Sequence, residues 1–272
     1  MKNLISCIIA VLFLTSIECS SQNTFKFESK INPGKTYKLE MDMFSSNKTV
    51  YQSEIPSLKG KSSEGSSSTR MTRTTATKSL TENGHIPATV TYGYILTTAN
   101  ANVSTNPISG TVVHGYYAGY KFHVNEVISD KLDEKTKQGI KHALENVKPD
   151  IQFPATPLRI GESFEHKMPM IIPISGVNPV KVDIIKTYTL KSVDKNIAVF
   201  DLKEKFQLSS ETDQTSVAAK GDGSGIVEFD ISENQIIKNN AVFAIEVKVK
   251  VSDDVSLTSI IKSDSQIKAT IK

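Results

Sequence analysis

The groups able to do chemistry are few and poorly spaced for it. The five histidines are His85, His114, His123, His142 and His166. There is no HExxH, and no two histidines sit four apart on the helical segment described below, so a helix-borne metal pair is excluded. Glu165 and His166 are neighbours in a strand and point to opposite faces. His114 and His123 would meet across a hairpin turned at Ala118-Gly119, with no third ligand to join them. Polar strand histidines are the competing account. Gly221-Asp222-Gly223-Ser224-Gly225 has the outline of a phosphate loop. Ile226 stands where a dinucleotide loop needs its third glycine, and the Lys-Ser/Thr of a P-loop is missing. Asp222 and Ile226 also occupy the places where a nucleophile elbow needs glycine. Glycines at every second position of a strand share one face, which predicts a smooth patch where a helix or ligand packs and the sheet bends. The pairs Asp133-Glu134 and Asp253-Asp254 are adjacent, so their side chains diverge and form no acid–base couple. The first answers a helix dipole and the second belongs to a turn. The expectation is a non-enzyme with no catalytic residue, no metal and no cofactor; a hydrolase is the third reading.

Two further constellations point to surfaces. Lys59, Lys61, Arg70, Arg73 and Lys78 stand against a single Glu64. They suit anionic lipid headgroups or polysaccharide, or else a solvated loop and an edge strand protected by charge. With only three arginines in the chain and an export signal, nucleic acid is excluded as a partner. The other constellation is aromatic: Tyr92, Tyr94, Tyr116, Tyr117, Tyr120 and Phe122. Such strands either line a cavity for an amphipathic ligand, phenols at its mouth, or fill the core of a chain that has no Trp.

The elements that must carry these residues are mostly strands. Of the 272 residues, 28 are Ile, 21 Val and only 14 Leu, and β-branched side chains favour a pleated sheet. Phe25 and Phe27, then Tyr37, Leu39, Met41 and Met43, alternate with charged residues around an Asn32-Pro33-Gly34 turn. Residues 60–68 are rich in Ser and Gly and read as an exposed loop. The Thr-rich stretch 69–79 reads as an edge strand or hairpin arm. Strands follow over 89–98 and 111–127, then 180–184, 197–208, 225–231, 236–251 and 255–271. Between them, residues 130–147 change period: Leu132, Ile140, Ala143, Leu144 and Val147 fall at helical spacing, with Ser129 or Asp130 as cap. Gly139 in mid-helix predicts a close approach by the sheet. The expected fold is β-rich α+β: a large curved antiparallel sheet, half-barrel-like, around one central helix.

The first residues are an address. Lys2 precedes an apolar run over 4–17, too short to span a bilayer and typical of a secretory signal peptide. Cleavage after Ser21 leaves Gln22 first. The competing route makes Cys19 the lipidated first residue, against which Glu18 is a poor fit. Cys7 is lost either way, so soluble export leaves no cysteine and no disulfide. The expected organisation is a signal peptide over 1–21 and a single β-rich domain over 22–272 with the helix 130–147, and no transmembrane segment in the mature chain. The destination is the periplasm, the outer membrane or the medium.

Residues Phe153-Pro154-Ala155-Thr156-Pro157-Leu158-Arg159-Ile160-Gly161-Glu162-Ser163-Phe164 resemble the "FP..PV.VGDSW" signature of a family of uncharacterised exported proteins and lipoproteins of Bacteroidota. Tyr188-Thr189-Leu190 and Gly221 to Gly225 with Asp230 are similar to the strands that follow in that family. Phe164 replaces the family's Trp and Glu162 its Asp. The resemblance implies origin, compartment and fold; the family is a domain of unknown function, so no reaction comes with it. The layout also resembles the half-barrels of lipoprotein-carrier and lipid-binding envelope proteins, a likeness of fold alone. The expected function is non-enzymatic binding of a lipid or other amphiphile between sheet and helix, by Tyr92, Tyr94, Tyr116, Tyr120, Phe122, Ile140 and Leu144. The alternative is a structural module with a filled core that meets an envelope protein partner.

Overall fold

Alternating β-branched side chains produce strands over most of the chain. The computed structural model describes residues 23–99, 101–147, 151–172, 179–208 and 217–272; the signal peptide expected over 1–21 and Cys19 lie outside them. The strands are β1 (Thr24–Phe25), β2 (Thr36–Ser53), β3 (Ser62–Thr77), β4 (Ile86–Ala99), β5 (Asn102–Thr105), β6 (Val112–Ala118), β7 (Lys121–Ile128), β8 (Leu158–Arg159), β9 (Ser163–Ile172), β10 (Val180–Asp194), β11 (Ile197–Leu208), β12 (Val217–Asp230), β13 (Gln235–Ser252) and β14 (Val255–Ile271). Among the described residues there is one helix, α1 (Glu134–Glu145), between β7 and β8. β1 pairs with β8. The remaining twelve strands form one sheet in the order β7-β6-β4-β3-β2-β14-β13-β12-β11-β10-β9, with β5 added on β4. Every pairing is antiparallel and the sheet is open, with β7 and β9 at its ends. The β-rich class, the helix and the large antiparallel sheet are those the sequence predicts.

Burial alternates along the strands, so the sheet has one covered face. In β11, Ala198, Phe200, Leu202, Glu204 and Phe206 are buried while Lys203, Lys205 and Gln207 are exposed. This covered side is the inner face. Three apolar clusters occupy it. Phe27, Ile151 and Leu158 cover Tyr188, Leu190, Phe200, Leu202, Val227 and Phe229. Ile172, Val180, Val182, Ile184, Phe206, Ile245, Val247 and Leu257 form a second. The third lies under α1.

The glycine motif sits inside β12. Gly221, Gly223 and Gly225 face inward, and the side chains of β11 and β13 meet above them: the rings of Phe206 and Phe243 lie 4.9 Å apart. A Cβ on Gly223 would stand 2.8 Å from both Glu204 Oε2 and Phe243 Cβ. The smooth patch expected for a helix or ligand is therefore filled by the flanking strands, because those strands curl toward each other over the missing side chains.

Several expectations change in detail. The helix spans 134–145 rather than 130–147, and its cap is Asp133, whose carboxylate accepts the Thr136 N–H at 2.8 Å. Val147 is outside the helix and 58% exposed. A Cβ on Gly139 would have nothing within 4 Å, so the position faces solvent and no close approach explains it. The helix is about 18 Å long and covers the end of the sheet at β4, β6 and β7 rather than its middle. Its Glu145 accepts the backbone N–H of Val124 at 3.1 Å, which occupies a donor on edge strand β7. Residues 62–77, expected to be a loop and an edge strand, form β3, paired on both sides by β2 and β4. Its polar side chains were no guide to position, because its inner face is only half-buried.

Candidate functional site

The seven residues expected to bind a ligand do not gather in one place. Phe122, Ile140 and Leu144 are buried together with Ala88, Val90, Val113 and Val124, and Tyr92 and Tyr117 pack at the margin of that cluster. These side chains fill a core. Tyr94 faces the other way and is 45% exposed. The cause is a bulge: the β3–β4 register skips between Met71↔Ile95 and Arg73↔Tyr92, so alternation changes phase at Gly93-Tyr94. Tyr116 also lies on the outer face, stacked between His85 and His123 with ring centroids 4.5 and 5.0 Å away. Tyr120 occupies the β6–β7 turn and is 67% exposed. It borders a surface cleft of about 500 Å³ with Phe27, Ile151 and Phe153.

The tight turn is Gly119-Tyr120, one residue later than expected, because Ala118 pairs with Lys121. That register sets Tyr116 opposite His123, and His114 opposite Glu126, so the two histidines do not face each other. Among the described residues, no three His, Cys, Asp or Glu side chains are placed to share a metal ion. No described helix is long and apolar enough to cross a membrane.

A different inner-face region combines apolar and polar groups. Across the middle strands, one register row runs Asn239–Ile267–Met41–Met71–Ile95 and the next Ala269–Leu39–Arg73–Tyr92. Leu39, Met41, Met71, Ile267 and Ala269 are half-buried and belong to none of the three clusters. They continue the apolar face from the helix end to the Phe200–Val227 end. Four inter-strand steps from β4 to β13 make the strip about 19 Å wide. Toward one end of the strands lie Tyr37 and Ile271. There the segment before β2 is tied to the β12–β13 turn by Lys30 N–H to Asn234 O at 3.1 Å and by the Lys35–Glu233 ion pair at 2.7 Å. Toward the other end the face turns polar at Ser263, Ser45 and Ser67.

Arg73 is the charged group of this strip. It is half-buried, and among the described residues its side chain has no ion pair and no hydrogen bond. Tyr92 is its register partner. Burial pushes the phenols of Tyr92 and Tyr117 up, and the Arg73 guanidinium pulls both partly back. Tyr37 is also raised by burial, but its hydroxyl is engaged: it accepts from Asn32 N–H at 2.8 Å and donates to Asn32 O at 3.3 Å. Two buried polar atoms near the strip lack partners among the described residues. One is Asn239 Oδ1. The other is the hydroxyl of Thr111, whose backbone carbonyl accepts from Tyr92 N–H at 2.9 Å. Elsewhere on the inner face, charge is neutralised: Lys186 pairs with the buried Glu204 at 3.1 Å.

No family model matches the chain, and no curated protein matches it in sequence. Among solved structures it is similar to lipovitellin, in a structure of lipid–protein interactions, with 11% identity and a TM-score of 0.41 over 89% of this chain. The chain spans about a quarter of that one, 26%. It is less similar to the CymD monoaromatic hydrocarbon channel, with 9% identity and a TM-score of 0.13 over 88% of this chain and 89% of the other. Likeness at this level carries no argument about activity.

Sequence reasoning missed the strip and placed Arg73 among surface cations. The available signal was the odd-numbered run Met71, Arg73, Thr75, which shares a face in a strand. What joins it to Leu39 and Ile267 is the register of β3 on β2 and of β2 on β14, the latter pair more than two hundred residues apart in sequence, which no local pattern displays.

Proposed function

We propose that the protein is an exported, non-enzymatic cell-envelope protein that binds the apolar part of a lipid or other amphiphile on the inner face of its middle strands. The observation that carries this reading is the strip Leu39, Met41, Met71, Ile267 and Ala269, an apolar surface flanked by covered cores and itself uncovered among the described residues. An uncovered apolar surface continuous with a core is stabilised by an apolar occupant, at roughly 25 cal/mol per Å² removed from water. Native mass spectrometry of protein purified from its source without detergent tests it. The expected result is an extractable adduct of lipid mass that is lost in Met41→Lys with the fold retained. Protein free of any adduct, which also takes up none from added lipid vesicles, contradicts it. The leader over 1–21 would deliver the chain to the envelope. Cys19→Ala then separates the two routes, releasing the protein from membranes only if Cys19 carries lipid.

A second reading has its own observation. On the outer face Phe44, Ile226 and Val242 are about half exposed, beside a surface cleft of about 600 Å³ lined by Asp201, Lys203, Lys238 and Asp264. Apolar residues rimmed by charges of both signs suit an envelope protein partner. Under that reading Val242→Lys abolishes co-purification of the partner, and Met41→Lys does not.

A further inference from the structure

We infer that Arg73 anchors the head of the amphiphile and that the ligand is a long-chain carboxylate. This rests on the reading of the strip as a binding face. Arg70 is paired with Asp42 at 2.7 Å on the outer face, and Lys186 is neutralised by Glu204. Arg73 differs from both: it is half-buried, faces inward between Leu39 and Tyr92, and has no anionic partner among the described residues. A half-buried guanidinium without a counter-ion keeps its desolvation cost uncompensated until an anion arrives. Its planar fork matches the two oxygens of a carboxylate.

The surroundings narrow the class further. Tyr92 stands beside Arg73 in the register, and its phenol has no hydrogen-bond partner among the described residues, so it remains able to donate to an anion held there. One cation faces one negative charge. Beyond that phenol, the half-buried Leu39, Met41 and Met71 offer contact to an acyl chain.

Calorimetry with three probes of equal chain length tests this on the mature protein: laurate, dodecanol and dodecyl phosphate. Laurate is expected to bind, and Arg73→Met to weaken it about tenfold or more while leaving dodecanol affinity unchanged. Arg73→Lys keeps the charge and should retain more laurate affinity than Arg73→Met. If Arg73→Met binds laurate as the wild type does, the anchor is wrong although the face reading stands. If wild type binds neither laurate nor dodecanol, the face reading fails as well. Dodecyl phosphate bound about tenfold tighter than laurate overturns the carboxylate. Should Arg73→Met lose dodecanol too, Arg73→Lys decides. Laurate weakened relative to dodecanol supports the anchor, and equal weakening of both overturns it.

Discussion

Arg73 and Lys186 occupy the same face of one sheet, and their neighbours give them different work. Lys186 meets Glu204 at 3.1 Å and its charge is spent locally. Arg73 stands beside the phenol of Tyr92 and pairs with no carboxylate among the described residues, so its charge remains available to a ligand. The phenols report on this environment. Burial raises Tyr92 and Tyr117 above the ordinary 10.0, only partly offset by Arg73. A phenol with a raised folded pKa contributes stability that is complete below the unfolded value and lost as pH rises through the folded one. Urea unfolding at about pH 9 and about pH 11 should therefore show a loss that the double variant Tyr92→Phe/Tyr117→Phe reduces. Gly221 is decided by geometry instead. A Cβ there would collide with the Ala244 carbonyl and stand 2.7 Å from Ile245 Cα, both backbone. Gly221→Ala should cost about 1–3 kcal/mol by chemical denaturation. The alternation of these glycines was legible in the sequence. That Phe206 and Phe243 fill the space above them was not, because those residues are brought together only when β11 and β13 pair with β12.

At the scale of elements, α1 is short and its buried stripe is Ile140 and Leu144 alone. Its stability comes from docking on β4, β6 and β7. Leu144→Ala removes a buried side chain from a filled cluster and should cost about 2 kcal/mol or more. Gly139→Ala should do the opposite and stabilise by about 1 kcal/mol, since the position is helical and open to solvent. Thermal and urea unfolding of the two variants checks both signs. The helix itself was legible from its period. Its start was misplaced by a few residues because Ser129, Asp130 and Asp133 are all competent caps, and only the Thr136 N–H shows which is used. β11 and β14 were legible to the residue from their alternation. β3 was not, since Ser and Thr on both faces look the same in an edge strand and in a strand with a half-exposed inner face.

The molecule as a whole is a two-faced sheet. Lys38, Glu40, Asp42, Arg70, Lys203 and Lys205 face outward, and the apolar rows face inward, covered at both ends and open in the middle. Composition and periodicity made the open antiparallel sheet and its helix legible. The place where the inner face lacks cover depends on which strands neighbour which, and that order is set by pairings such as β14 with β2 that lie at opposite ends of the chain. The aromatic hairpin drew attention in the sequence because its residues are conspicuous together. The fold splits them between two faces, and the uncovered strip lies two strands further on. The most direct test of this account is photo-cross-linking with a laurate analogue carrying a diazirine near its chain end, followed by peptide mapping. Labels on Met41, Met71 or Ile267, reduced by Met41→Lys, are the predicted result. Labels confined to Phe44, Ile226 and Val242 on the outer face, or labelling that unlabelled laurate fails to displace, would contradict it.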